Sequence, residues 1–402
     1  MRRPSSRMGL ILLGAALAVV ALAATAAAQT RATHASPIII GWAYDGSKAG
    51  PMAPFDGPAL GAAQLRVAQV NAKGGVGGRQ LQIITCNTQG DNPATSKACA
   101  LKLIGEHANI IFTTCDVDLA APVVQEAINR GILAVAPCIG TDQMGPKRFG
   151  AKGKLAFSFG NVAQDEGSAM AQYAWGRGWK TAALATDNVI VYFKNITAAF
   201  AARFKQLGGK IVDQETYQDP AFHGNNVGNA VSRLNGVKAD VIVTSTAGAY
   251  GALGPMITGL RTLGNNTPIL NSWAGDGNYW LPKTPAVTNY YFVTYASVFG
   301  DDPNAAINKL AKQLHAGTGG FVTGSAAIDG VVTAINRAHG STDGTTLAGV
   351  MEKFNKVPTL SGLVSFSASL HTVFGRQYRV IKIQNNKPHV VGEVVAKVVV
   401  KI

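Results

Sequence analysis

From residue 38 onward, short apolar strand patterns alternate with helical patterns, and this alternation restricts the fold more than any other feature of the chain. Strand patterns at 38–43, 81–86, 109–114 and 132–136 are separated by helical ones: Leu60, Ala63, Val67 and Val70 at helical spacing, then 93–106 and 119–130. Strands joined by helix-length connections run parallel, and such a sheet must be covered by helices on both faces. Right-handed crossovers then build the doubly wound arrangement. A second series follows the strand pattern at 155–159. It reads helix 166–175, strand 181–186, a helix carrying Phe200, Phe204 and Leu207, strand 210–217, helix 227–234, strand 241–245, a helix with Leu253, Ile257 and Leu260, and strand 269–271. The fold class is therefore α/β, with two Rossmann-like lobes in tandem, and 402 residues suffice for both. Beyond Tyr290 come helices at 305–315, 323–338 and 345–354 and strands at 363–366, 376–383 and 390–400. The late helices are expected to complete the first lobe and the last strands the second.

The first residues read differently. Arg2, Arg3 and Arg7 precede an apolar, Ala-rich run with small residues at Ala26 and Ala28, the layout of a secretory signal peptide over 1–28. The competing reading is an uncleaved single-span anchor. No Cys lies near the expected cut, so no lipid anchor is indicated, and a soluble, periplasmic or secreted mature chain is expected. The formal net charge is +14, yet Lys and Arg are scattered singly without a basic helix, so an evenly solvated basic surface is expected and no nucleic acid partner. Cys86, Cys99, Cys115 and Cys138 are an even set in an exported chain, which implies disulfides. Cys86 closes a strand and Cys99 lies on the helix that follows, so these two are expected to pair. Cys115 and Cys138 then remain, at the ends of two consecutive strands.

The stretch VNAKGGVGGRQLQI at 70–83 resembles the corresponding stretch of the branched-chain amino-acid-binding (Leu/Ile/Val-binding) proteins of ABC transporters, where a helix runs through a Gly turn into the second strand. QGDNPA follows that strand, DLAAPVVQEAINRGILAVAP supplies the next helix and strand, and Gly-Asp-Gly stands at 275–277. The likeness covers about 37–395. It implies the periplasmic-binding-protein type I fold: two lobes, a hinge of three crossovers and a ligand in the interlobe cleft. The lobes are expected at 37–157 plus 295–360 and at 158–294 plus 361–402, with crossovers near 155–160, 290–295 and 358–364. The resemblance implies an extracytoplasmic substrate-binding protein that takes a small polar solute, an amino acid or related compound, to an ABC permease in the cytoplasmic membrane. A monomer is expected, not an enzyme; the alternative is a ligand-sensing protein of the same fold that reports to a membrane receptor.

Ligands of open α/β sheets sit beyond the carboxyl ends of strands, which places candidate ligand-binding residues on loops. After the first strand come Trp42, Tyr44 and Asp45, in a loop running through Phe55. After the third come Thr113, Thr114, Asp116 and Asp118, just before a helix whose free N–H groups favour a negative group. The resemblance implies that hydroxyls and backbone at this turn hold a ligand carboxylate. Two aspartates stand among the matching positions. Asp118 reads as a helix N-cap; if it faces the cleft instead, it repels a carboxylate and favours a neutral or cationic ligand. In the second lobe the candidates are Asp187, Tyr192, Thr246, Tyr250, Trp273 and Asp276. Trp42, Tyr44 and Trp273 could stack on a planar ligand or serve as lobe core. The seven histidines lack metal spacing, glycines 74, 75, 77 and 78 follow a helix rather than open one, and no nucleophile elbow occurs. No metal, cofactor or catalytic residue is expected.

Overall fold

The computed structural model describes residues 36–402 apart from 49 and 225; the expected signal peptide lies outside them. Ten longer helices and fifteen strands organise the described residues. The first sheet takes β1 (Ile38–Tyr44), β2 (Leu81–Asn87), β3 (Ile110–Phe112), β4 (Leu133–Ala136), β5 (Ala156–Asn161) and, late in the chain, β13 (Thr372–Val373), in the order β13-β5-β4-β3-β1-β2 and parallel throughout. The second takes β6 (Thr181–Asp187), β7 (Lys210–Tyr217), β8 (Val241–Ser245), β9 (Ile269–Asn271), β10 (Tyr290–Thr294), β14 (Tyr378–Gln384) and β15 (Lys387–Val394), in the order β15-β14-β10-β9-β8-β6-β7. Its last two strands are antiparallel additions. A separate hairpin pairs β11 (Val357–Thr359) with β12 (Gly362–Val364).

Composition follows place in the sheet. Central strands such as Ile-Ile-Phe of β3, Leu-Ala-Val-Ala of β4 and Val-Ile-Val-Thr-Ser of β8 are buried at every residue, because helices cover both faces. The edge strands β7 and β15 alternate exposed and covered residues, as a strand with one wet face must. The helices are α1 (Ala53–Asn71), α2 (Pro93–Gly105), α3 (Val117–Asn129), α4 (Ala163–Gly176), α5 (Val191–Gln206), α6 (Val227–Gly236), α7 (Leu253–Thr262), α8 (Ala305–Leu314), α9 (Phe321–Arg337) and α10 (Gly344–Met351). α9 packs on α1 and β5, and α10 on β4, both beside the first sheet. One apolar core is continuous from the first sheet through the crossovers into the inner side of the second lobe. A second core lies under α6 and α7 on the second sheet.

Three expectations shift. The strand pattern at 363–366 does not enter the second sheet: β12 pairs locally with β11, and β13 returns to β5, so the chain changes sheets between Val373 and Tyr378 rather than near 358–364. The reason is packing against the first lobe, where Phe366 lies against Phe157 and Phe159. β5 also stays in the first sheet to Asn161, past the expected change at 157–158. Finally, β15 ends at Val394, and 395–402 continues without strand pairing, held to α4 where Val400 donates to Ser168 and Lys397 to Gln172. Among the described residues no helix is long and apolar enough to cross a membrane.

Candidate functional site

Parallel strands deliver their carboxyl ends to one rim of each sheet, and in this molecule the two rims face each other. The first rim is built from the turns after β1, β3 and β4. Asp45 accepts hydrogen bonds from Ser47, Met52 and Gly90, which folds the chain after β1 back toward the rim. α1 then starts at Ala53, so Phe55 lies on a helix rather than in the expected loop. Asp56 ties this region to the next turn, accepting from the N–H of Asp45 at 2.8 Å and of Cys115 at 3.0 Å. Cys115 is bonded to Cys138 and Cys86 to Cys99, the same pairs that the sequence suggests; their Cα separations are 4.8 and 5.4 Å.

The N-cap of α3 is Asp116, not Asp118. Asp116 has extended backbone, and its Oδ1 accepts from the N–H of Asp118 at 2.8 Å and of Leu119 at 3.2 Å. Asp118 stands one residue inside the helix, where its carboxylate is free to reach outward. It meets Arg148 at 2.6 Å and accepts from the N–H of Val191, in the other lobe, at 2.9 Å. The first turn of α5 therefore receives its acid from across the cleft.

The second rim comes from the turns after β6, β8 and β9. Tyr192 and Phe193 open α5, Tyr250 follows β8, and Trp273 follows β9. Glu166, on α4, organises two of them: it accepts from the Tyr192 hydroxyl at 2.8 Å and from the Trp273 backbone N–H at 2.6 Å. Tyr192 approaches the first lobe so closely that a Cβ on Gly140 would fall 2.6 Å from its ring, which explains why that position has no side chain. The Phe55 and Trp273 rings meet across the cleft, 5.0 Å between centroids, and the Tyr250 hydroxyl donates to the Met52 sulfur at 3.2 Å.

These groups enclose a cavity of about 20 Å³, room for about one water, lined from the first lobe by Met52, Phe55, Cys115 and Asp116 and from the second by Ile190, Tyr192, Phe193, Ala247, Tyr250, Trp273 and Ala274. Of the residues singled out in the sequence, Asp116, Tyr192, Tyr250 and Trp273 line it. Thr114 stands behind the first rim, donating to Asp91 at 3.2 Å, and Thr113 is buried with its hydroxyl unpartnered. Asp187 and Asp219 share the Thr246 hydroxyl behind the second rim, at 2.9 and 3.3 Å.

The others lie elsewhere. Trp42 is core of the first lobe, its ring 4.8 Å from Phe112, because its strand is covered on both faces. Tyr44 is half-buried beside Gly46. Asp276 is buried beside a crossover, accepting from Thr294, Gly277 and Gly319, each at 2.6 Å. Sequence reading missed Glu166, Met52, Phe193 and Ile190. No local signal separates Glu166 from Gln164 and Asp165, which precede it in the first turn of α4.

Acids concentrate here. Burial, followed by the proximity of Asp118, pushes the Asp116 carboxyl up to about 7. Burial raises Glu166 to about 8 and, with Asp219 adding to it, Asp187 to about 7. Burial likewise raises Asp91 and Asp219 to about 6. Among the described residues, no group of His, Cys, Asp and Glu has the arrangement to hold a metal ion.

Comparisons with known proteins agree with this fold. The family model described as periplasmic binding protein matches residues 37–388. A Leu/Ile/Val-binding protein of Rhizobium johnstonii, BraC3, is 22% identical over 326 residues, covering 79% of this chain and 84% of that one. The substrate-binding protein LivJ of Streptococcus pneumoniae, solved with isoleucine, superposes with a TM-score of 0.73 at 20% identity, over 89% of this chain and 99% of that one. A solute-binding protein of R. palustris solved with benzoate gives 0.69 at 17% identity, over 90% and 99%.

Proposed function

We propose a role that starts from a plain premise: this chain belongs to the periplasmic binding protein family. Its role is to capture a small polar solute, an amino acid or related compound, between the lobes and present it to an ABC permease from the periplasmic side of the membrane. It acts as a monomeric binder rather than as a catalyst. The observation that carries this reading is a cavity between two parallel-sheet rims with walls from both lobes, so that the ligand's contacts are complete only when the lobes meet. Binding then shifts the population toward the closed form, which the permease can tell from the open one. The cavity of about 20 Å³ is smaller than such solutes, so the Phe55–Trp273 and Tyr250–Met52 contacts must part to admit one.

We draw the lobes at 37–161 plus 295–373 and at 162–294 plus 374–402, following the sheets. The working residues are Phe55, Asp116, Tyr192, Tyr250 and Trp273, with Glu166 holding the second-lobe pair. Native mass spectrometry of freshly purified protein, paired with small-angle scattering, tests the role. A small molecule that leaves on denaturation and a radius of gyration that falls when it is returned are the expected results. A ligand-free mass together with a radius indifferent to every metabolite extract would refute it.

A further inference from the structure

Six backbone donors around the cleft are bonded to the protein's own acids. At the start of α3 the Cys115 N–H goes to Asp56, and those of Asp118 and Leu119 go to Asp116. At the start of α5 the Val191 N–H goes to Asp118. After β8 the Ala252 N–H goes to Asp219, and after β9 the Trp273 N–H goes to Glu166. Helix starts are where an anion would be held, and those of α3 and α5 already have a carboxylate in place.

The cavity itself has the opposite character. Five rings line it, those of Phe55, Tyr192, Phe193, Tyr250 and Trp273, and the charged residue among its described lining is Asp116. Both hydrogen bonds to that carboxylate fall on Oδ1, leaving Oδ2 as the free oxygen. Asp91, Asp187 and Asp219 lie close enough to act on the Tyr250 hydroxyl along with Asp116. In a chain of net charge +14, this is a local concentration of acids whose ionised forms burial disfavours until a cation is beside them. Ring faces are electron-rich and attract a cation most strongly where water is excluded.

We propose that the cleft takes a small quaternary ammonium compound, its charged head among the rings beside Asp116, and that it does not take a carboxylate at the start of α3. The proposal rests on reading the cleft as the ligand site. A primary ammonium would bring three N–H donors into a space offering ring faces and few acceptors; a quaternary one brings none. The indole N–H of Trp273, on the ring edge next to Gly320, is buried without a partner, which favours a ligand that also carries a neutral oxygen such as a hydroxyl.

Calorimetry on the full chain tests this with choline chloride, glycine betaine, L-isoleucine and sodium benzoate, against sodium chloride. Choline and betaine share a head group, and betaine adds the carboxylate. Choline is expected to bind about tenfold or more tightly than betaine, and Asp116→Asn to weaken choline about tenfold or more. Asparagine caps a helix as well as aspartate does, so the variant should keep its melting temperature. No heat from choline up to about 10 mM, tighter binding of betaine or benzoate, or an unaffected Asp116→Asn variant would overturn the proposal. If isoleucine or benzoate closes the lobes and choline does not, the ligand class falls and solute capture stands. If nothing binds and the native mass is ligand-free, both fall.

Discussion

The two rims share a topology and are held in order by different means. The first is tied covalently: both disulfides fall there, closing segments whose cysteines stand 13 and 23 residues apart, and Asp45, Asp56 and Asp91 bind its turns together. The second has no cysteine. Its order comes from large rings packed on one another and from Glu166, which reaches two of its turns with one carboxyl. A covalent tie removes freedom from the unfolded chain, whereas ring packing holds only while the partner rings are in place. The first rim is therefore a preformed wall, and the second is the side that can adjust when the cleft opens.

The largest effect expected from this contrast is on the disulfides. Replacing Cys115 and Cys138 by serine should cost about 3 kcal/mol of unfolding free energy, read from urea melts, by restoring loop freedom to the unfolded chain. Hydrogen exchange in the variant should quicken first around 113–118 and 137–141. Earlier loss of protection around 246–252 or 272–276 would break the distinction between a fixed and an adjustable rim.

A smaller effect is expected from pH. Asp91 and Asp219 near 6, Asp116 and Asp187 near 7 and Glu166 near 8 all bind protons more tightly in the fold than the value of about 4 they have when unfolded. Their contribution is complete below about 4 and is lost as pH rises through 6 to 8, so the melting temperature should be several degrees higher at pH 5 than at pH 8. The groups facing them are Asp118 and Arg148 at Asp116, Tyr192 and Asp165 at Glu166, and Tyr217 between Asp187 and Asp219. Glu166→Gln should flatten the upper end of the profile, which belongs to the second rim. A melting temperature that rises toward pH 8 would remove the desolvated acids from the account.

The smallest effect concerns Asp118, which reaches from the first rim to the start of α5. Asp118→Asn loses its ion pair with Arg148, whose side chain is 27% exposed against 33% for Asp118, and weakens the contact with Val191. Pairs this accessible contribute about 1 kcal/mol or less, so the melt should barely move while scattering reports a more open particle. A loss of stability as large as that of the serine variant would make Asp118 a structural tie rather than a latch.

Much of the molecule was legible in the chain itself. Strands of unbroken apolar residues separated by helical periods can be satisfied by a parallel sheet between helix layers, and the order of these patterns alone specifies two such lobes. The same patterns put the candidate residues on loops after strands, and Asp116, Tyr192, Tyr250 and Trp273 do meet at the cavity. Local patterns do not carry what depends on which surfaces come together. Which aspartate caps α3 was decided by backbone angles at one residue; that Trp42 turns into a lobe core and Trp273 into the cleft, by packing; that β13 returns to the first sheet, by its pairing with β5. Glu166 acquires its role because folding brings Trp273, 107 residues further along the chain, within hydrogen-bond reach. Short-range periodicity fixes elements because each depends on its own few residues; the cleft depends on contacts between distant ones, which exist only after the lobes have closed.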